Sequence, residues 1–145
     1  MKTLSRCLLV VMSIWLTACQ QAPVAGNNGD LYQALGERSG IADVVQDLLY
    51  RIVDDERINH QFKGVNVADF HRHLTDQLCQ ISGGPCRYTG RDMRELHEAM
   101  DITDTQFNAL VENLVLAMEA NGIATTAQNR LLGRLVPLYP DVRNL

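Results

Sequence analysis

"GGPCRYTGRDMRELHEAM", Gly83 to Met100, is the stretch on which the fold turns. A Gly-Gly break, a cysteine and a Tyr-Thr-Gly turn lead into a short helix around Arg91 to Met100 that carries one histidine, His97. The segments on either side read as helices. Upstream, Asn66 is a candidate N-cap with Asp69 three residues on, and Val67, Phe70, Leu74, Leu78 and Ile81 form one apolar stripe that stops at Gly83-Gly84. Further upstream, after Gly40, Ile41, Val44, Val45, Leu48, Leu49, Ile52 and Val53 form another. Downstream, Thr103-Asp104-Thr105-Gln106 has the pattern of a capping box, opening a helix lined by Phe107, Leu110, Val111, Leu114 and Met118 and stopped at Asn121-Gly122. Thr125 with Gln128 repeats the box before a last helix carrying Leu131, Leu132, Leu135 and Val136, limited by Pro137. No segment alternates with the period of a strand, and nothing repeats. The pattern predicts an all-α fold.

The ends carry different signals. "MKTLSR" is positively charged, "CLLVVMSIWL" is apolar, and "LTAC" follows, so residues 1–18 read as a secretory signal peptide. Leu16-Thr17-Ala18-Cys19 resembles a bacterial lipobox, which makes Cys19 the expected acylated N-terminus of an exported, lipid-anchored protein. The residue after it, Gln20, favours the outer membrane and a periplasmic globular domain. Residues 19–30 are polar, with Pro and Gly and no period: a tether. Residues 31–145 then form the single folded domain. Losing Lys2 and Arg6 with the signal takes the net charge from −4 to −6, which argues against a nucleic-acid partner. Cys79 and Cys86 remain as an even pair in an exported chain and are expected to form a disulfide.

Few residue types can do chemistry here. His71 and His73 are two apart rather than four, there is no C-x-x-C, and a structural zinc site is not expected. No G-x-S-x-G elbow and no glycine-rich phosphate loop occurs. What is left is chemistry built on a single histidine. About 115 ordered residues bury only a modest core, which a cofactor filling the interior would complement.

"GGPCRYTGRDMRELHEAMDIT" resembles the proximal haem segment of group I truncated haemoglobins, and "LYQALGERSGI" and "VVQDLLYRIVDDERINHQFKGVNVA" are similar to the same family. The resemblance covers about Leu31 to Val142. It implies a two-over-two helical sandwich around haem b, with His97 as the proximal iron ligand. It also implies that Phe62, Phe70, Leu74, Met93 and Leu96 surround the porphyrin. Tyr50 matches the family's distal tyrosine, a hydrogen-bond donor to the bound gas. Yet at 100° per residue Tyr50 lies about 160° from the centre of the Ile41–Ile52 stripe, where a side chain faces water. Glutamines frequent in the family are replaced by Phe70 and Leu74. His73 matches a histidine that takes the sixth iron position in cyanobacterial members, although His71 is nearer the Phe70/Leu74 face, at about 60° against about 100°. Covalent haem attachment through a histidine of the last helix, seen in some relatives, is excluded because that helix has none.

Three functions follow as expectations. The first is a haem protein binding oxygen, nitric oxide and carbon monoxide, able to oxidise nitric oxide if an unidentified reductase restores ferrous iron; enzyme status stays open. The second is a bis-histidine electron-transfer or redox-sensing protein using His73. The third is a haem-free helical interaction module.

Overall fold

The computed structural model describes residues 28–143. The leader, Cys19 and most of the tether lie outside the described residues. Six helices follow in order: α1 (Asn28–Ala34), α2 (Glu37–Asp54), α3 (Val67–Ile81), α4 (Met93–His97), α5 (Asp104–Ala120) and α6 (Thr125–Leu135). Short 3-10 turns at Asn59–Phe62 and Val136–Asp141 complete the chain, and no strand occurs among the described residues. The fold is all-α, a two-over-two sandwich.

The longest helix organises the rest. α2 buries Ile41, Val44, Val45, Leu48, Leu49 and Ile52, each worth about 1.5–3 kcal/mol when fully removed from water. It packs against α3 and α5, while α6 closes against α1, α3 and α5. Val53, counted in the stripe from sequence, is instead 69 % exposed, because it lies past the edge of the face that α3 and α5 cover. The helix also starts earlier than its stripe, at Glu37, and runs through Gly40. A Cβ on Gly40 would stand 2.5 Å from the Leu35 carbonyl oxygen, so only glycine lets the α1–α2 corner close.

Two of the three expected caps form. The Asn66 side chain accepts from the Asp69 amide, and Thr103 and Gln106 make the reciprocal capping box. Thr125 and Gln128 do not. α6 begins behind Ala124, and Gln128, buried, donates instead to the Ile123 carbonyl at 2.8 Å.

The segment from Gly83 to Met100 is held from both ends. Cys79 and Cys86 form a disulfide, with Cα atoms 5.7 Å apart, that ties the end of α3 to the loop. Gly84 lies under the Tyr32 ring, where a Cβ would come within 2.5 Å. The helix that ends the segment is shorter than the expected Arg91–Met100. α4 has five residues, with Asp92 accepting from the Arg94 and Glu95 amides. Beyond it Ala99 (φ 65°) and Asp101 (φ 47°) adopt left-handed backbone, which stops the helix just after His97. α4 rests on the Val136–Asp141 turn.

Candidate functional site

Between α3, α4, α5 and the C-terminal turn lies a cavity of about 610 Å³. Its size falls within the range of small-molecule and cofactor sites. Phe62, Phe70, His73 and Leu74 line one side. Met93, Leu96 and His97 enter from α4, and Phe107, Leu110 and Val111 from α5. Val65, Leu96 and Val136 line it while remaining exposed at 41, 37 and 67 %. Apolar side chains left open around one concavity mark a surface suited to an apolar ligand.

His97 is fixed in this wall by its own helix. Its Nδ1 lies 2.7 Å from the Met93 carbonyl oxygen, one turn back. A carbonyl only accepts, so Nδ1 carries a proton, and in the neutral ring the lone pair is on Nε2. That is the neutral tautomer a metal ligand needs, with a backbone carbonyl orienting the ring. A flat group with a central metal therefore fits the site: apolar walls, with an oriented imidazole among them.

His73 and His71 part company. His71 Nε2 lies 3.0 Å from the Ala42 carbonyl, so His71 belongs to the α2–α3 contact, although the helical wheel set it nearer the Phe70/Leu74 face. The stripe splits, with part of it meeting α2 and part the cavity, and His73 is on the cavity side. The His73 ring also meets Tyr88 edge to face, centroids 6.0 Å apart.

Tyr50 is a correction. It is 65 % exposed and does not line the cavity, while its neighbour Leu49 is 8 % exposed and Leu48 reaches the cavity wall. α2 is covered on one side by α3 and α5, and a residue about 160° from that stripe turns to solvent. The cavity therefore receives no tyrosine from α2. Three glutamines line the cavity and all are engaged elsewhere, Gln106 with His60 Nε2 at 3.0 Å. Gln77 reaches the Met93 sulfur at 3.1 Å, and Gln61 the Met100 carbonyl at 3.4 Å.

The sequence reading missed Tyr88 and Arg91, both cavity-lining. Tyr88 donates from its hydroxyl to the Arg91 carbonyl at 2.8 Å, and its amide donates to Gln80 at 2.7 Å. Burial pushes its phenol above the ordinary value. The signal was in "YTGR": a Cβ on Gly90 would collide with the Tyr88 ring, so the turn is shaped around that ring.

Fold and cavity together define a small helical protein with one open apolar pocket among its described residues, a globin shortened to two helix pairs. The Bacterial-like globin family model matches residues 30–144, and the chain belongs to that family, among its group 1 truncated haemoglobins. It is 30 % identical over 114 residues to the group 1 truncated hemoglobin GlbN of Nostoc sp. (strain MUN 8820), covering 79 % of this chain and 97 % of that one. With the group 1 truncated hemoglobin of Tetrahymena pyriformis it shares 29 % identity over 99 residues, 68 % of this chain and 82 % of the other. The crystal structure of the Tetrahymena pyriformis protein in its Fe(III) form superposes with a TM-score of 0.76 at 26 % identity, over 79 % of this chain and 98 % of that one. The 2/2 hemoglobin from Synechococcus sp. PCC 7002, in the cyanomet state and with covalently attached heme, gives 0.73 at 29 % identity, with coverages of 79 and 98 %.

Proposed function

We propose that this chain binds haem b through Nε2 of His97 and takes oxygen, nitric oxide and carbon monoxide at the opposite face. The observation that carries this reading is the His97–Met93 contact at 2.7 Å on the wall of an apolar cavity. Membership of a haem-binding globin family supports it. Haem, held by His97, would supply an iron able to bind diatomic gases and to change oxidation state. Phe62, Phe70 and Leu74 exclude water from one side, Met93 and Leu96 pack beside the ligand histidine, and Arg91 places a cation for the porphyrin carboxylates. With Tyr50 outside and the two distal positions apolar, a bound gas meets little polar stabilisation. Such a site suits rapid exchange or reaction better than storage.

Oxidation of nitric oxide to nitrate is within this chemistry, given a reductase that returns iron to the ferrous state. Export and a lipid anchor at Cys19 complete the proposal and would place the domain in the periplasm at a bacterial membrane. A second reading, electron transfer by a bis-histidine haem, rests on His73 lining the same cavity.

The test is the absorption spectrum of the protein loaded with haem in ferric, ferrous and carbon monoxide forms, beside His97→Ala and His73→Ala. A globin-like spectrum lost only in His97→Ala supports gas binding at an open site. A low-spin spectrum that resists carbon monoxide and turns high-spin in His73→Ala supports electron transfer. A parent protein that forms no stable haem band leaves only the helical interaction module.

A further inference from the structure

His73 lines the cavity but offers it neither ring nitrogen. Its Nε2 is 3.0 Å from an Arg72 guanidinium nitrogen. A guanidinium only donates, so Nε2 accepts and the proton is on Nδ1. That Nδ1 is fully buried and has no partner. Arg72 is itself held, since the same nitrogen lies 2.9 Å from Asp69 Oδ1. Asp69 is pinned in turn through its amide, which donates to the N-cap side chain of Asn66 at 3.1 Å. On its other flank the His73 ring meets Tyr88, in the loop that the Cys79–Cys86 disulfide ties to α3.

From this chain of contacts we infer that Arg72, braced by Asp69, is a latch that holds His73 turned away from the haem iron. The inference rests on the haem reading above and deepens it. Iron ligation by His73 needs a free nitrogen lone pair aimed into the cavity. In the latched ring the one lone pair is spent on Arg72, and the other nitrogen carries a proton. The buried, unpartnered Nδ1–H is a standing penalty on the latched state. The two orientations of the ring are thereby set against each other, and the Arg72 hydrogen bond decides between them. Arg72 is a positioning residue: it acts on the sixth iron position through His73 alone.

The test has two arms. In the haem-free protein, nitrogen NMR of the His73 imidazole reads the tautomer directly: Nδ1–H is expected in the parent and its loss in Arg72→Met. In the haem-loaded protein, Arg72→Met should raise the low-spin, six-coordinate population relative to the high-spin one by about threefold to tenfold, the range that loss of one hydrogen bond gives. Carbon monoxide association should slow correspondingly, and His73→Leu added to Arg72→Met should restore the parent spectrum and rate. An Nε2–H tautomer in the parent overturns the latch. So does an Arg72→Met protein with unchanged spin state, or a parent already wholly low-spin through His73. A parent that passes the tautomer arm but takes up no haem overturns the haem reading and the latch with it. One that binds haem through His97 and fails either arm loses the latch alone.

Discussion

Nδ1 of His97 donates to the carbonyl oxygen of Met93 across 2.7 Å, and both residues belong to a helix of only five residues. The ring is therefore only as well placed as α4 itself. Isolated helices of this length do not persist, so its caps and its neighbours hold it in shape.

Asp92 is the cap that matters most, accepting from two amides of α4. Asp92→Ala should cost about 1 kcal/mol of local stability. Haem loss to an excess of a competing apoglobin should then run about fivefold faster, with the spectrum of the remaining holoprotein unchanged. Equal rates of haem loss would show that packing on the Val136–Asp141 turn, not the cap, fixes α4.

The distal wall is open to a paired test. Tyr50→Phe removes a hydroxyl that faces solvent, so the oxygen dissociation rate should stay within about twofold of the parent. Leu74→Gln puts an amide donor on the cavity wall. It should slow oxygen dissociation by about tenfold, the worth of one hydrogen bond to a polarised ligand, while leaving the weakly polar carbon monoxide nearly unaffected. The two rates come from stopped-flow replacement of one gas by the other.

The Cys79–Cys86 bridge closes a short loop, worth about 2–3 kcal/mol by chain entropy. Replacing both cysteines by serine should lower the denaturation free energy by about that amount in urea unfolding. Reduction of the parent should do the same, and reductant should add nothing further in the serine variant.

Asp55 gives the fold a pH dependence. Arg57 donates to its carboxylate, with Asn113 adding a contact at 2.7 Å, and these hold the group well below its ordinary value of 3.8. A depressed carboxylate stabilises the fold above its unfolded pKa and loses that contribution as pH falls toward the folded one. Asp55→Asn should therefore lower Tm at pH 5 to 7, and the gap from the parent should narrow below about pH 4. A gap that stays constant down to pH 2 would assign the loss to packing around Asn113 instead of charge.

Much of this architecture is written locally and could be read from the chain alone. Apolar spacing marks the burying faces of α2, α3, α5 and α6, because a helix repeats every 3.6 residues whatever its neighbours are. The caps at Asn66 and Thr103 depend on side chains within one turn, and the His97 segment carries its own breaks and stops. What surrounds each helix is not local. Which flank of α3 meets α2 and which meets the cavity decided that His71 supports the fold while His73 lines the cavity, and the helical wheel alone ranked them in the opposite order. At Tyr50 the wheel pointed outward and the family likeness inward; the structure follows the wheel, since α3 and α5 cover only one side of α2. Thr125 had the residues of a cap, yet burial of Gln128 turned its amide to Ile123. The sequence by itself determined α2, α3, α5 and α6, their order and the histidine that the Gly83–Met100 segment carries. Only the tertiary structure decided which side chains share the cavity with it, because a cavity is made by elements distant in sequence whose facing surfaces no local period encodes.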